Sequence, residues 1–264
     1  MDAPAMTYGG YLGLERLLSS QAPISDQPDE LLFIIIHQTK ELWLRQTVHE
    51  LEQAIALVRG DRLVEVHKGL SRVSRIQAVL TLSWDVLATM TPVDYSRFRH
   101  VLGSSSGFQS AQFRQVEYLL GLKDGAHLRN HPPDGAEHAA LAAALHAPSL
   151  WDEANAALHR AGIALPPEVL TRDWTQPYRP DERVEAAWAE IYRDPQRWWP
   201  LYQFAEKLVD IDDAFAVWRH KHVTTVERII GFKRGTGGTA GVKYLQTTLA
   251  KRAFPELWSL RTRL

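Results

Sequence analysis

The sequence predicts an all-α protein in which residues 1–264 form a single domain, a bundle of long helices. Apolar residues recur at steps of three and four over long stretches, which is typical of amphipathic helices. Proline and glycine stand where these stretches begin and end. No stretch shows the alternation of a β-strand, and no internal repeat is present.

The first elements are predicted from these signals. The segment 1–27 is short and rich in turn-forming residues, and it contains one candidate helix, TYGGYLGLERLLSS. Pro28 suits the first turn of a long helix that ends at Gly60. Asp61 is the expected N-cap of a third helix that runs to about Thr89.

The middle of the chain is less regular. Thr91 and Pro92 predict the start of a short helix, VDYSRFRHVL, that stops at Gly103. The turn GSSSG then leads into a predicted helix, FQSAQFRQVEYLLGLK. Residues 122–150 carry little signal, and two short helices are expected between positions 149 and 193, separated by breaks at Pro166-Pro167 and Gln176-Pro177.

One long helix is predicted from about position 194 to Ile230, and its apolar stripe contains one polar member. His222 stands one turn after Trp218 and one turn before Val226, whereas His220 lies about 200° away around the helix. The glycine-rich loop GFKRGTGG follows. A terminal helix, interrupted at Pro255, completes the predicted bundle.

Composition excludes several classes of function. The net charge of −1 argues against nucleic acid or an anionic membrane as the main partner, and no apolar run is long enough for a transmembrane helix or a secretory signal. The chain has no cysteine, which excludes disulfides, thiolate metal sites and thiol nucleophiles. Chemistry is left to 11 histidines, 9 tryptophans, 8 tyrosines and the carboxylates.

His37 and His222 are the first candidates for a site, because each stands among apolar residues on a predicted helix. A single histidine on such a face is more often a core residue. Two in one bundle, however, are suited to the two sides of a flat cofactor such as haem, one as axial ligand and the other as hydrogen-bonding partner.

Other catalytic motifs fit less well. The chain has neither the Glu-x-x-His motifs of di-iron bundles nor the zinc signature His-Glu-x-x-His. GSSSG matches the letters of a hydrolase elbow around Ser105, but that elbow requires a preceding strand. GFKRGTGG lacks the ending of a phosphate loop. Two possibilities remain for the site: it binds haem, or it binds no metal.

Tyr95 and Arg99 are four residues apart and share one helix face. A guanidinium beside a phenol suits a carboxylate, although an ordinary surface arginine gives the same pattern. Thr236 in the glycine loop offers a hydroxyl to a small ligand, although a flexible helix end is an equal explanation.

These stretches together resemble the tryptophan 2,3-dioxygenase family. The matching segments, HQTKELWL, GFQS and GFKRGTGG, are specific in this order and spacing, and the resemblance is weakest at residues 122–146. It implies a haem enzyme that uses ferrous haem b and O2 to convert L-tryptophan to N-formyl-L-kynurenine, the first step of tryptophan catabolism by the kynurenine pathway.

The resemblance also implies roles for individual residues. His222 would be the proximal iron ligand, and His37 would be the catalytic distal histidine that receives the indole N–H. Trp84 would lie beside a haem propionate, and the other residues implied to contact the cofactor, near the haem or the substrate, are Ser106 and Gly235. The other implied substrate contacts are Phe33, Tyr95, Arg99, Thr236, Tyr8, Tyr11 and Leu12.

Tyr8, Tyr11 and Leu12 would reach the site of a neighbouring subunit, because the resemblance implies a cytoplasmic homotetramer in which segment 1–27 crosses between subunits. Two alternatives stay open. One is a related haem monooxygenase that acts on a substituted tryptophan, and the other is a helical or haem-binding protein without turnover.

Overall fold

The computed structural model describes residues 6–238 and 240–264, so residues 1–5 of the predicted N-terminal segment and Thr239 lie outside the described part. The described residues are helical and contain no β-strand, as predicted. The α-helices in chain order are α1 (Tyr8–Leu12), α2 (Leu14–Leu18), α3 (Pro28–Arg59), α4 (Leu63–Leu87), α5 (Pro92–Phe98), α6 (Ala111–Leu120), α7 (Ala136–His146), α8 (Leu150–Arg160), α9 (Pro167–Leu170), α10 (Glu182–Arg193), α11 (Trp199–Ile230), α12 (Val242–Thr247) and α13 (Pro255–Ser259). Short 3-10 helices cover Arg99–Leu102, Gly107–Gln109, Gly125–Asn130 and Leu260–Arg263.

Three long helices carry the fold. α4 packs against both α3 and α11, and α6 and α8 pack against α3. One buried apolar cluster draws its members from all five of these helices and continues into the C-terminal segment as far as Leu260. Fully burying a leucine-sized side chain contributes about 1.5–3 kcal/mol, so this cluster is the main source of stability.

A second, smaller cluster lies where α3, α4, α5 and the end of α11 meet. Its buried members are Ile36, Trp84, Leu87, Met90, Phe98 and Ile229. Phe33, Tyr95 and Trp218 are partly buried and pack against it. The predicted site residues on four different helices are therefore brought to one region.

The bounds of α3 confirm the prediction, whereas the predicted cap of α4 is wrong. Pro28 stands in the first turn of α3, and Gly60 follows its last residue. The N-cap of α4 is Arg62, without a side-chain cap hydrogen bond. Asp61 has a positive φ of 57° in the turn, and its carboxylate forms an ion pair with Arg160 of α8 at 2.8 Å. The Asp61 carboxylate therefore links the turn before α4 to α8 and does not cap α4.

Other boundaries also differ from the prediction. The N-terminal helix is divided into α1 and α2 at Gly13, which has a φ of 61°. α11 begins at Trp199 and not near position 194. The helix predicted to begin at Phe108 is α6, which begins at Ala111, because the side chains of Ser106 and Ser110 each cap a separate helical segment.

The remaining differences lie in short elements. Residues 122–150 contain a 3-10 helix and α7, and three helices, α8 to α10, replace the two expected between positions 149 and 193. As predicted, the terminal helix is interrupted before Pro255, and the gap extends back to Thr247. That gap is held by the buried carboxylate of Asp212 on α11, which accepts hydrogen bonds from the backbone N–H of Ala253 and from Trp258 Nε1.

Within residues 6–238 and 240–264, no single helix is long and apolar enough to cross a membrane. Only α4 together with Pro92–Leu102 has the length and composition of a span, and these two segments are bent by 90° at the break between them.

Candidate functional site

A cavity of about 1030 Å³ lies among α3, α4, α5, α6 and α11, and residues of the glycine-rich loop and of α12 also border it. Most of the predicted site residues line this cavity. They are Phe33, His37, Trp84, Tyr95, Arg99, Ser106, His222, Gly235 and Thr236. The N-terminal candidates Tyr8, Tyr11 and Leu12 do not line it, and their side chains are exposed.

His37 has one ring nitrogen engaged and one available. Its Nδ1 lies 2.7 Å from the carbonyl oxygen of Phe33, one helical turn earlier. Because a carbonyl only accepts hydrogen bonds, Nδ1 carries the proton and Nε2 is left as an acceptor. The ring also packs against the Phe33 ring at a centroid distance of 4.2 Å. The backbone of α3 thus fixes both the tautomer and the direction of the ring.

Burial, followed by the charge of Lys40, lowers the pKa of His37 to about 4. The imidazole is therefore neutral at physiological pH. A neutral ring with a free Nε2 is able to accept a hydrogen bond from an N–H donor in the cavity.

His222 borders the cavity from α11. Its ring is stacked on the indole of Trp84 at a centroid distance of 4.4 Å and an interplanar angle of 12°, and Trp218 lies 5.1 Å away. Burial, with smaller contributions from Lys40 and His37, lowers the pKa of His222 to about 3. The neutral form is the one that binds metals, and the aromatic neighbours restrict the orientation of the ring.

Tyr95 and Arg99 form the polar end of the cavity nearest to Phe33. The Tyr95 ring lies 6.0 Å from the Phe33 ring. Burial raises the pKa of Tyr95 while the adjacent Arg99 lowers it, and the net direction is upward, so the phenol stays a donor at neutral pH. Arg99 donates through Nη2 to the carbonyl oxygen of Arg234 in the glycine-rich loop. This contact ties the guanidinium to the loop.

The glycine-rich loop closes against the serine turn. Thr236 Oγ1 donates to the carbonyl oxygen of Ser105. A Cβ atom added to Gly237 would lie 2.7 Å from Ser106 Cβ, so only glycine permits this approach. The segment before Ser105 is a 3-10 helix and not a strand, which confirms that GSSSG is a turn and not a hydrolase elbow.

We expect Gly237→Ala to push the loop away from Ser106. Overpacking costs about 1–3 kcal/mol, so the KM for a substrate covered by the loop is expected to rise roughly five- to hundredfold. Steady-state kinetics measures the change. Gly107→Ala is the matched control, since an added Cβ there meets no atom within 4 Å. Equal KM values for the two variants would contradict a close packing of the loop.

Sequence reasoning missed the charged residues deep in the cavity. Arg114 Nη1 donates to Glu117 Oε2 at 2.6 Å, and Arg219 Nη2 lies 3.6 Å from Glu117 Oε1. Lys40 is buried and lies over the Trp84 ring, with Nζ 3.1 Å from the centroid. The spacing of Lys40 from His37, three residues on one helix, was a signal for a shared face.

Several buried donors on the cavity wall have no hydrogen-bond partner within the described ranges. They are Lys40 Nζ, Gln77 Nε2, Trp84 Nε1, Arg114 Nε, Trp218 Nε1 and Arg219 Nη2. Unpaired buried donors are rare because each costs about 1–3 kcal/mol. Among the residues described, no group of three or more histidine, aspartate or glutamate side chains is placed to hold a bare metal ion. The cavity therefore suits a polar organic group better than a multi-ligand metal ion.

The pKa of His37 predicts a pH dependence of stability. The unfolded chain binds a proton below pH 6.5 that native His37 does not bind until about pH 4. This part of the stability is complete above pH 6.5 and is lost as the pH falls to about 4, by about 3 kcal/mol in total. Urea unfolding over this range measures it.

We expect His37→Gln to flatten this pH dependence relative to the natural protein. His49→Gln, on the exposed face of the same helix, is the control. An unchanged slope in His37→Gln would contradict a neutral native His37.

Comparison with known proteins identifies the family of this chain. Residues 1–264 match the family model described as Tryptophan 2,3-dioxygenase. Three similar relatives carry that name. The protein of Caulobacter vibrioides is 61% identical over 99% of this chain and 100% of its own length. That of Bordetella pertussis is 55% identical over 98% of this chain and 91% of its own length, and that of Bacillus cereus is 54% identical over 98% and 93%. The chain belongs to the tryptophan 2,3-dioxygenase family.

Proposed function

We propose that this chain is a haem-dependent dioxygenase that adds both atoms of O2 across the indole C2–C3 bond of L-tryptophan and forms N-formyl-L-kynurenine. The observation that carries the proposal is the meeting of two neutral imidazoles, His37 from α3 and His222 from α11, in one cavity that also contains Arg99. Membership of the family supports the reaction.

The residues of the cavity fit haem b. His222 offers a neutral imidazole that is stacked on Trp84 and also lies near Trp218, and this ring would hold the iron. The unpaired buried donors fit the polar edge of such a group, and Trp84, Ser106 and Gly235 are its other proposed contacts. The cavity volume of about 1030 Å³ is at the upper end of the usual range for ligand sites, roughly 300–1000 Å³. When bound, ferrous haem supplies the iron that activates O2.

His37 is proposed to orient the indole. Its Nδ1 proton is committed to the Phe33 carbonyl, so Nε2 is the atom that accepts the indole N–H. Phe33 provides an apolar wall beside it. Because the pKa of His37 is about 4, this acceptor is present throughout the neutral range. The hydrogen bond at Nε2 would fix which edge of the indole faces the oxidant.

The amino-acid part of the substrate is assigned to the other end of the cavity. Arg99 would pair with the carboxylate, and Tyr95, which stays protonated, would donate a further hydrogen bond. Thr236 would contact the ammonium group from the loop. Because Arg99 is tied to Arg234, binding of the carboxylate is coupled to the position of the loop, which would exclude water from the site.

We further propose a homotetramer in which segment 1–27 reaches a neighbouring subunit. Tyr8 and Tyr11 are 77% and 75% exposed, and Leu12 is 45% exposed. Large apolar side chains grouped in this way are typical of an interaction surface. We also propose that residues 1–264 form one domain, since one core cluster extends from Leu44 to Leu260.

The test is to reduce the purified protein without air, then to add L-tryptophan and air while recording the ultraviolet–visible spectrum. A Soret band with growth of N-formylkynurenine absorbance is the expected result. Isotopically labelled O2 and product mass distinguish two added oxygen atoms with ring opening from one without it, which a monooxygenase would give. A Soret band without product would support a haem-binding protein, and no band after haem supplementation would overturn the cofactor assignment.

A further inference from the structure

Lys40 is a buried cation without a counter-ion among the described residues. The residue is only 7% exposed, and its Nζ has neither a hydrogen-bond acceptor nor a carboxylate within ion-pair distance in the described ranges. The other buried cations of the cavity differ, since Arg114 and Arg219 both face Glu117. The face of the Trp84 ring, 3.1 Å from Nζ, is the main electron-rich group in contact with Lys40.

An ammonium in this position is costly. Burial lowers the pKa of Lys40 to about 7, which reflects the free energy lost when the charge leaves water. A cation–π contact returns part of that energy, but a buried ammonium is normally paired with an anion. Because Lys40 borders the cavity, we infer that the anion belongs to a bound molecule.

The substrate carboxylate is not that anion. Arg99 and Tyr95 stand near Phe33, whose ring lies 5.7 Å from that of Phe98 at the end of α5. Lys40 follows Phe33 by seven residues, which is roughly 10 Å along the axis of α3. Arg99 and Lys40 are therefore separate cationic points of the cavity, and a tryptophan carboxylate held by Arg99 leaves Lys40 unpaired.

The position of Lys40 points to the prosthetic group. Its ammonium lies against Trp84, which also contacts the proposed iron ligand His222 and Trp218. The Nε1 of Trp84 is also buried without a partner. A cationic and a neutral donor thus stand together beside the ligand that would hold the iron. Haem b carries two propionate groups, and one of these would pair with the ammonium.

We propose that Lys40 forms an ion pair with a haem propionate. This inference rests on the proposed function, because it requires haem in the cavity. Lys40 would then be a binding and positioning residue that holds the propionate edge of the haem near Trp84. It explains why a lysine, one turn beyond His37, is buried in an otherwise aromatic wall.

The test compares haem with its dimethyl ester, in which both propionates are esterified and uncharged. The full-length holoprotein is prepared with each group as the natural protein, Lys40→Met and Lys40→Arg. Lys221→Met is the matched control, since Lys221 pairs on the surface with Asp85. The rate of transfer of each group to excess apomyoglobin is followed in the Soret region.

For haem, Lys40→Met is expected to accelerate release at least tenfold, because the lost partner leaves a buried carboxylate unpaired. For the dimethyl ester, the natural protein and Lys40→Met are expected to release at the same rate. Lys40→Arg should restore most of the difference. Lys221→Met should match the natural protein with both groups.

Two results would overturn the inference while leaving haem binding intact. Equal acceleration for haem and ester would mean that Lys40 only fills space, and no acceleration for either would mean that it does not meet the haem. A natural protein that retains neither group would overturn the cofactor assignment itself, and the role of Lys40 with it. Circular dichroism of each variant identifies a loss of fold.

Discussion

Replacing Arg99 with alanine is expected to weaken L-tryptophan binding by about 2–5 kcal/mol, roughly 30- to 5000-fold. Arg99 caps the C-terminus of α5, and its guanidinium lines the cavity beside Tyr95. Removing it leaves the substrate carboxylate without its proposed cationic partner. It also removes the bond to Arg234, so the loop loses a link to α5.

The measurement is the dissociation constant of L-tryptophan by titration, together with kcat and KM. Arg97→Ala is the matched control, because Arg97 lies two residues away and is exposed near Asp94 at 3.9 Å. Tryptamine, which lacks the carboxylate, separates the two effects of the mutation. Natural protein is expected to prefer L-tryptophan strongly over tryptamine, and Arg99→Ala is expected to lose that preference. A preference retained in Arg99→Ala would remove Arg99 from the carboxylate site.

Much of the scaffold of this site follows from local signals in the sequence. The bounds of α3 and the end of α11 coincide with Pro28, Gly60 and Gly231, where proline and glycine dictate the backbone. Thr91 and Asp94 form a capping box that starts α5 and thereby directs Tyr95 and Arg99. These signals act within a few residues, which is why they can be read without the fold.

The predictions of secondary structure differ from the structure where a residue has a partner that is distant in sequence. Asp61 is a suitable cap by type, but its ion pair with Arg160 on α8 takes the carboxylate elsewhere. Asp212 lies within an amphipathic helix and holds a segment more than forty residues later. No local pattern contains these partners. The interruption at Pro255 was predicted, but the start of α4 and the length of the gap before α13 depend on tertiary contacts.

The candidate site shows the same division. His222 was marked by its polar side chain within an apolar stripe, and the resemblance supplied a role for His37. The spacing of Lys40 from His37 indicates a shared helix face but not burial, because a lysine on an amphipathic helix is usually solvent-exposed. Only the packing of α4 against α3, which brings Trp84 over Nζ, reveals that the ammonium is buried.

His222→Ala is expected to reduce haem binding more than Arg99→Ala does, and to leave the protein without stably bound haem. The ring is the only proposed iron ligand from the chain, and Trp84 and Trp218 hold it in place. Alanine provides neither the nitrogen nor the stacking surface. The loss is measured as the ratio of Soret to protein absorbance after haem supplementation and gel filtration.

His220→Ala is the control, because His220 lies on the same helix two residues earlier, is exposed, and bonds through Nδ1 to the carbonyl oxygen of Ala216 at 2.9 Å. It is expected to keep the haem content of the natural protein. Imidazole added to His222→Ala provides a second check, since a ligand in solution can occupy the space left by the side chain and restore the Soret band. Full haem content in His222→Ala without imidazole would show that His222 is a core residue. The site would then need another iron ligand, and within the cavity His37 is the other histidine available.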